Sequence, residues 1–218
     1  GVGLDVKFAD VFGCMGKFYD VSNEANFKDV LQLVLTEAIS QTTVQVDLLD
    51  ITKKPTETDV NMTFYDSNTK QIKYNYLHTL NHRGNPDTLV LSPNITYDLM
   101  VHTIPPIEKK NITIEKGKHN VIPVDAPQGY LKLELDGALS KYFPTCVVRK
   151  KGEMNTLNIQ DFGKTDKYIV GKYDLEILTL PRIKLNDVEI QQSTTNTIKV
   201  PTSGNVYIVK GGNGYGSI

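Results

Sequence analysis

From Gln41 onward, apolar residues fall on alternate positions. Val44, Val46 and Leu48 alternate with Gln45 and Asp47, and Met62 and Phe64 alternate with Asn61 and Thr63. Leu131, Leu133 and Leu135 alternate with Lys132 and Glu134; the pairs Ile112/Ile114 and Val188/Ile190 follow the same rule. Segments of period two, separated by clusters of Pro, Gly, Asn and Lys, predict short antiparallel strands with one wet face. Several such strands in every ~80 residues predict a β-sandwich. The first forty residues behave differently. GVGLDV reads as the end of a buried strand, KFADVFGCM as a short helical pattern, and GKFYDV as another strand after the break at Gly16. Ser22-Asn23 then supplies an N-cap, and Phe27, Val30, Leu31, Val34, Leu35 and Ala38 form one apolar stripe. This strand–helix–strand–helix order is an α/β rhythm. A piece of this size cannot make its own core, so the helix predicted over about 24–39 should bury Phe27, Leu31 and Leu35 against another surface.

The β-rich part repeats itself. Residues 97–124 lie over 173–200 without a gap at an offset of 76 (173 − 97), and ten of the 28 positions are identical. The shared residues include Tyr97/Tyr173, Asp98/Asp174, Leu99/Leu175 and Pro105/Pro181. A repeat of this length is one small domain copied. Upstream, 60–76 resembles 146–162 at an offset of 86, so the first copy should carry about ten extra residues. They fall in or near HTLNHRGNPD (78–87), whose composition is that of a loop. The pattern predicts that a third copy opens at the end, where GNVYIVKGG (204–212) follows Pro201 as GYLKLELDG (129–137) follows Pro127. The expected organisation is therefore an α/β remnant at 1–42, sandwiches at 43–125 and 126–203, and the start of a third repeat at 204–218, in a piece of a longer protein. The expected fold class is mainly β, tandem antiparallel β-sandwiches preceded by a short α/β remnant.

Charge narrows the function more than it defines it. Lys and Arg number 24 against 25 Asp and Glu, interspersed, for a formal net charge of −1. That balance offers no basic face for nucleic acid and no polybasic membrane patch. No apolar run approaches the ~20 residues of a membrane span. Cys14 and Cys146 are too few for a disulfide framework and read as buried free thiols. His78 and His82 have the i, i+4 spacing of helical metal ligands, but Gly84 and Pro86 argue for a solvated loop. His102 reads as an exposed or half-buried strand residue. Asp47, Asp50, Glu57 and Asp59 lack the spacing of a calcium loop and read as solvated turn charges. The glycine-rich 210–216 segment lacks the ending of a phosphate loop, and neither Ser140 nor Cys146 sits in a nucleophile motif. Tyr65, Tyr74 and Tyr76 are candidates for a sugar-stacking face, with cross-strand packing as the plainer role. No catalytic, cofactor-binding or metal-binding residue is assigned.

Two resemblances add to this reading. GVGLDV followed by FADVFGCMGKFYDVSNEANFKDVLQLVL resembles the end of a von Willebrand factor type A domain. Gly16 to Asp20 match that family's late strand, and Asn26 to Leu35 its closing helix. The family's metal loop, Asp-x-Ser-x-Ser, has no counterpart here, so no metal ligand carries over. The remainder is similar to the β-rich region that follows such domains in envelope-associated proteins of Bacteroidetes-type bacteria. VQVDLLD, TFYD, 97–106 and 125–129 carry that likeness. The module itself looks like the transthyretin or carboxypeptidase-regulatory type of sandwich, through the turns 91–97 and 169–173. The resemblance implies an extracytoplasmic, non-enzymatic structural or interaction module of an adhesion-type protein. A protein is the implied partner; a glycan is the alternative, which would make the chain a carbohydrate-binding accessory. No nucleic acid, membrane insertion or cofactor is expected.

Overall fold

The computed structural model describes residues 27–32, 35, 41–136 and 144–201. Of these described residues 57% are strand and 4% helix, so the fold is mainly β. The expectations for Cys14, Ser140, the strand-like segments before residue 27, the glycine-rich 210–216 segment and the third repeat at 204–218 all lie outside the described residues. The described helical residues, 27–32 and 35, keep the expected period, yet Phe27, Leu31 and Leu35 are 45%, 45% and 52% exposed. The expected burial of that stripe is therefore not found among the described residues.

Among the described residues fourteen strands follow, and strand n of the first seven answers to strand n + 7 of the rest. They are β1 Thr43–Leu49, β2 Val60–Asp66, β3 Ile72–His78, β4 Thr88–Val90, β5 Tyr97–Val101, β6 Ile107–Ile112 and β7 His119–Asp125. Then come β8 Gln128–Asp136, β9 Thr145–Lys150, β10 Thr156–Asp161, β11 Thr165–Ile169, β12 Gly171–Ile177, β13 Ile183–Ile190 and β14 Thr195–Pro201. The first seven build sheets ordered β4-β1-β7 and β3-β2-β5-β6; the second seven build β11-β8-β14 and β10-β9-β12-β13. The order is the same in both copies. The paired strands are antiparallel except first with last. β14 runs parallel to β8. Likewise, Thr43 N–H donates to Lys118 O at the start of β1, and Ala126 N–H to Leu49 O at its end, so β7 runs with β1.

Two compact units result. Among the described residues, the first comprises those up to Leu48, 58–101 and 108–124; the second comprises 49–57, 102–107 and those from 125 on. In the first, Val44, Val46, Leu48, Phe64, Tyr97 and Leu99 are almost wholly buried between the sheets. In the second, Leu131, Leu133, Cys146, Val148, Tyr168, Tyr173, Leu175 and Ile177 form the core. These are the alternating positions of the sequence, as one buried face per strand requires.

Pairing corrects the upstream offset. Met62 stands opposite Val101, and Cys146 opposite Ile177. Because Val101 and Ile177 are equivalent, the offset there is 84 (146 − 62), not 86. A slip of two residues keeps every side chain on its own face, so alternation could not reveal it. The surplus of the first copy is then eight residues (84 − 76). Most of it lies between β3 and β4, where 79–87 has nine residues against three in 162–164.

Candidate binding surfaces

The repeated Tyr-Asp pair is occupied with the fold itself. Tyr97 Oη donates to Ser92 O (3.1 Å), and Tyr173 Oη to Ile169 O (2.6 Å). Such a ring, opening a strand and bonded back to the chain just upstream, is a tyrosine corner. Burial raises both hydroxyls to a pKa of about 12. The following aspartate clamps the next strand at a residue of left-handed backbone. Asp98 accepts from Asn111 N–H (3.0 Å), Ser67 Oγ (2.9 Å) and Lys70 Nζ (2.7 Å). Asp174 accepts from Asp187 N–H (3.1 Å) and Gly152 N–H (2.9 Å). Asn111 and Asp187 have φ of 56° and 58°, a left-handed conformation that the clamp stabilises. These hydrogen bonds, led by the one from Lys70, hold Asp98 down to a pKa of about 2. A further pair follows: Thr103 Oγ1 donates to Pro105 O (2.6 Å) and Thr179 Oγ1 to Pro181 O (2.8 Å).

The acidic cluster is four separate features. Asp50 and Glu57 are buried, not solvated as expected, at 8% and 6% exposure. The Asp50 carboxylate closes its own turn, accepting from Thr52 N–H (2.7 Å), Lys54 N–H (2.9 Å) and the Thr52 and Thr56 hydroxyls. These bonds, that from Lys54 first, lower its pKa to about 2. Glu57 accepts from Gln128 N–H (3.2 Å) and Gln128 Nε2 (3.3 Å), with Lys167 Nζ at 3.6 Å. Asp47 accepts from Gln45 Nε2 (2.6 Å), and Asp59 is exposed, as expected of a turn charge, at φ 58°. Among the described residues, no group of three or more His, Cys, Asp or Glu side chains could hold a metal.

His78 is not in a solvated loop. It ends β3 at 3% exposure, with Nε2 2.9 Å from Val46 O, while Nδ1 is buried without a hydrogen-bond partner. Facing a carbonyl, Nε2 must carry the proton. Desolvation lowers the imidazole pKa, although Asp87, Asp47 and Asp59 pull the other way. His82 lies exposed in the 79–87 turn, which Asn81 closes through Arg83 N–H and Asn85 N–H. The two histidines are not brought together. His102 is exposed just after β5.

Tyr74 and Tyr76 pack inward, whereas Tyr65 is half-buried on β2 beside Phe64 in sequence and so on the opposite face. Tyr74 and Tyr76 stack at 5.9 Å and 17°, Tyr76 meets Phe64 edge-on at 6.2 Å, and Tyr74 lies 6.2 Å from Tyr97. They cap the core of the first unit at its β3 edge. Cys146 is a buried free thiol whose pKa burial pushes up to about 11.

One surface was not legible from the motifs. In the first unit β6, the turn after it and β7 line an open cleft of about 400 Å³. Lys109 Nζ reaches from β6 to Pro123 O (2.7 Å). Asn120 holds the turn, donating to Glu115 O (3.1 Å) and Lys118 O (3.0 Å) and accepting from Glu115 N–H (2.8 Å). The charge contrast with 185–199 is present in the sequence, but only the fold, which brings together β6 and β7 from the edges of two different sheets, shows that these residues share a cleft.

No family model matches the chain, and no curated protein matches it. Two solved structures are similar to parts of it. The Bacillus anthracis TIE protein is 11% identical at a TM-score of 0.28, over 73% of this chain and 34% of that one. A leucine-rich repeat protein from Bacteroides thetaiotaomicron is 14% identical at 0.25, over 75% of this chain and 26% of that one. The chain thus spans about a third and a quarter of their lengths. Likeness at this level carries no argument about fold or function.

Proposed function

We propose that this chain is a non-enzymatic structural and interaction module of a cell-envelope or secreted adhesion-type protein. The observation that carries the reading is the duplication of the Tyr-Asp-Leu unit. In each copy the tyrosine closes a corner, the aspartate clamps the neighbouring strand and the leucine fills the core. The residues that the two copies share most clearly are thus engaged in building strands. The likeness of the N-terminal segment to a von Willebrand factor type A domain, and of the repeats to transthyretin-type sandwiches, supports an extracytoplasmic setting and a protein partner. No described helix is long and apolar enough to cross a membrane.

Two measurements test this. The chain should show no turnover on a panel of ester, glycoside, phosphate and peptide substrates; saturable turnover on any of them removes the reading. On an array of neutral glycans it should bind nothing through its tyrosines. A saturable hit abolished by Tyr74→Ala or by deleting 79–87 would reassign it as a carbohydrate-binding accessory.

A further inference from the structure

The two copies of the sandwich differ in the charge of one cleft. The lining of the β6–β7 cleft carries Lys109, Lys110 and Lys118 against Glu115, a surplus of two positive charges with histidine neutral. Seventy-six residues on, those four positions are Leu185, Asn186, Thr194 and Gln191. Asp187 and Glu189 replace Asn111 and Thr113, and Lys199 replaces Pro123, so the same positions carry a surplus of one negative charge. The strands and their order are nevertheless the same. The fold therefore does not need these lysines.

Ordinary solvated lysines would explain them if each had a local carboxylate. Lys110 and Lys118 do, with Glu108 at 3.2 Å and Glu115 at 2.6 Å, but all four side chains are exposed. Such pairs are weak and screened, so a ligand can take over either lysine. Lys109 is different. Its ammonium is held over the cleft by a neutral carbonyl, and among the described residues no carboxylate lies within ion-pair distance of it. Its charge is positioned and uncompensated.

The lining also limits the ligand. It contains no Trp, Tyr or Phe, so a neutral sugar ring finds no stacking platform. It contains no arginine, so the bidentate fork that grips a single planar anion is missing. Separate ammonium groups on β6 and on the turn after it, with Asn111, Thr113 and His119 beside them, suit anionic groups repeated along a hydroxyl-rich chain. A cleft of this volume holds one or two sugar rings. We propose that the β6–β7 cleft of the first unit binds an acidic polysaccharide through Lys109, Lys110 and Lys118. The inference rests on the interaction half of the reading above. Turnover on a substrate would remove that reading and leave this one, whereas loss of lysine dependence does the reverse.

The test passes the chain over immobilised heparin, polygalacturonate, neutral dextran and polyglutamate. Retention is expected on heparin or polygalacturonate, distinguishing sulfate from carboxylate, and should fall as salt rises. Dextran should not retain the chain, and polyglutamate should hold it more weakly. The triple variant K109L/K110N/K118T writes in the second copy's own residues. It should keep its melting temperature and bind about tenfold or more weakly. The control K150T/K164T/K172T removes equal charge from the second unit and should stay within about twofold. Should the triple variant melt early, K109L alone is read instead, with about threefold weakening expected. No retention of the wild-type chain on either acidic polysaccharide, equal weakening in the control, or polyglutamate bound as tightly as polysaccharide would overturn the proposal.

Discussion

Tyr173 and Asp174 adjoin in the chain but stabilise it in different ways, and substitutions separate them. Tyr173→Phe removes the hydroxyl from Ile169 O and leaves that carbonyl short of a partner. A loss of about 1–2 kcal/mol is expected in urea unfolding, and a smaller one for Tyr97→Phe, whose bond is longer. Asp98 is a question of pH. Its carboxyl is lowered to about 2 in the folded state, so its contribution is complete above the unfolded value near 3.9 and is lost as pH falls from there towards 2. Asp98→Asn should flatten the stability profile across that window; an unchanged acid slope would refute the clamp. His78 has the opposite charge type and a different window. Its lowered pKa means the unfolded chain takes the proton first, so stability falls as pH drops below about 6.5. His78→Phe, which installs the residue of the equivalent Phe162, should abolish that fall; persistence of it would locate the titrating group elsewhere. Tyr and Asp were visible in sequence as a repeat, but their roles were not. Charge is legible in a sequence, whereas the partner that buries it is not, so Asp50 and Glu57 read as solvated until their hydrogen bonds were seen.

At the scale of strands, the copies fill one place by two chemistries. Asn158, Gln160 and Tyr168 occupy the positions of Tyr74, Tyr76 and Leu91. In the first unit these are an aromatic stack over Phe64 and a buried leucine. In the second, Tyr168 Oη donates to Gln160 Oε1 (2.9 Å), Gln160 Nε2 donates to Leu131 O (2.8 Å), and Asn158 Nδ2 donates to Tyr168 Oη (2.8 Å). Gln160→Leu should cost about 2–3 kcal/mol, since it strands a buried hydroxyl and a carbonyl. Adding Tyr168→Leu to it should recover part of that loss, which a double-mutant cycle measures; strict additivity would refute the network. Gly129, in β8, has a different constraint. A Cβ there would sit 2.1 Å from Gln191 O, so Gly129→Ala must move backbone and should lower the thermal midpoint markedly. Alternation made the strands legible, and the gapless repeat made the β5 to β7 part legible. The β2–β3 register was not, because a two-residue slip leaves the pattern intact.

For the whole chain, two compact units imply two cooperative transitions. Gln160→Leu should move one calorimetric transition and leave the other in place; a single transition that shifts as a whole would mean the units fold together. Division into two copies followed from the repeat, whereas the assignment of 49–57 and 102–107 to the second unit did not, because it depends on Glu57 meeting Gln128 and on Ile169 N–H meeting Ile104 O. The parallel pairing of first and last strands has a mechanical consequence. β8 and β14 enter and leave the second unit at opposite ends while lying side by side, paired from Tyr130–Thr195 to Asp136–Pro201. Tension applied along the chain slides these strands past each other, so their hydrogen bonds bear the load together. An antiparallel pair pulled from one shared end would instead open like a zip, one bond at a time. Each unit is in that sense a clasp whose resistance lies along the direction in which a tether would pull it.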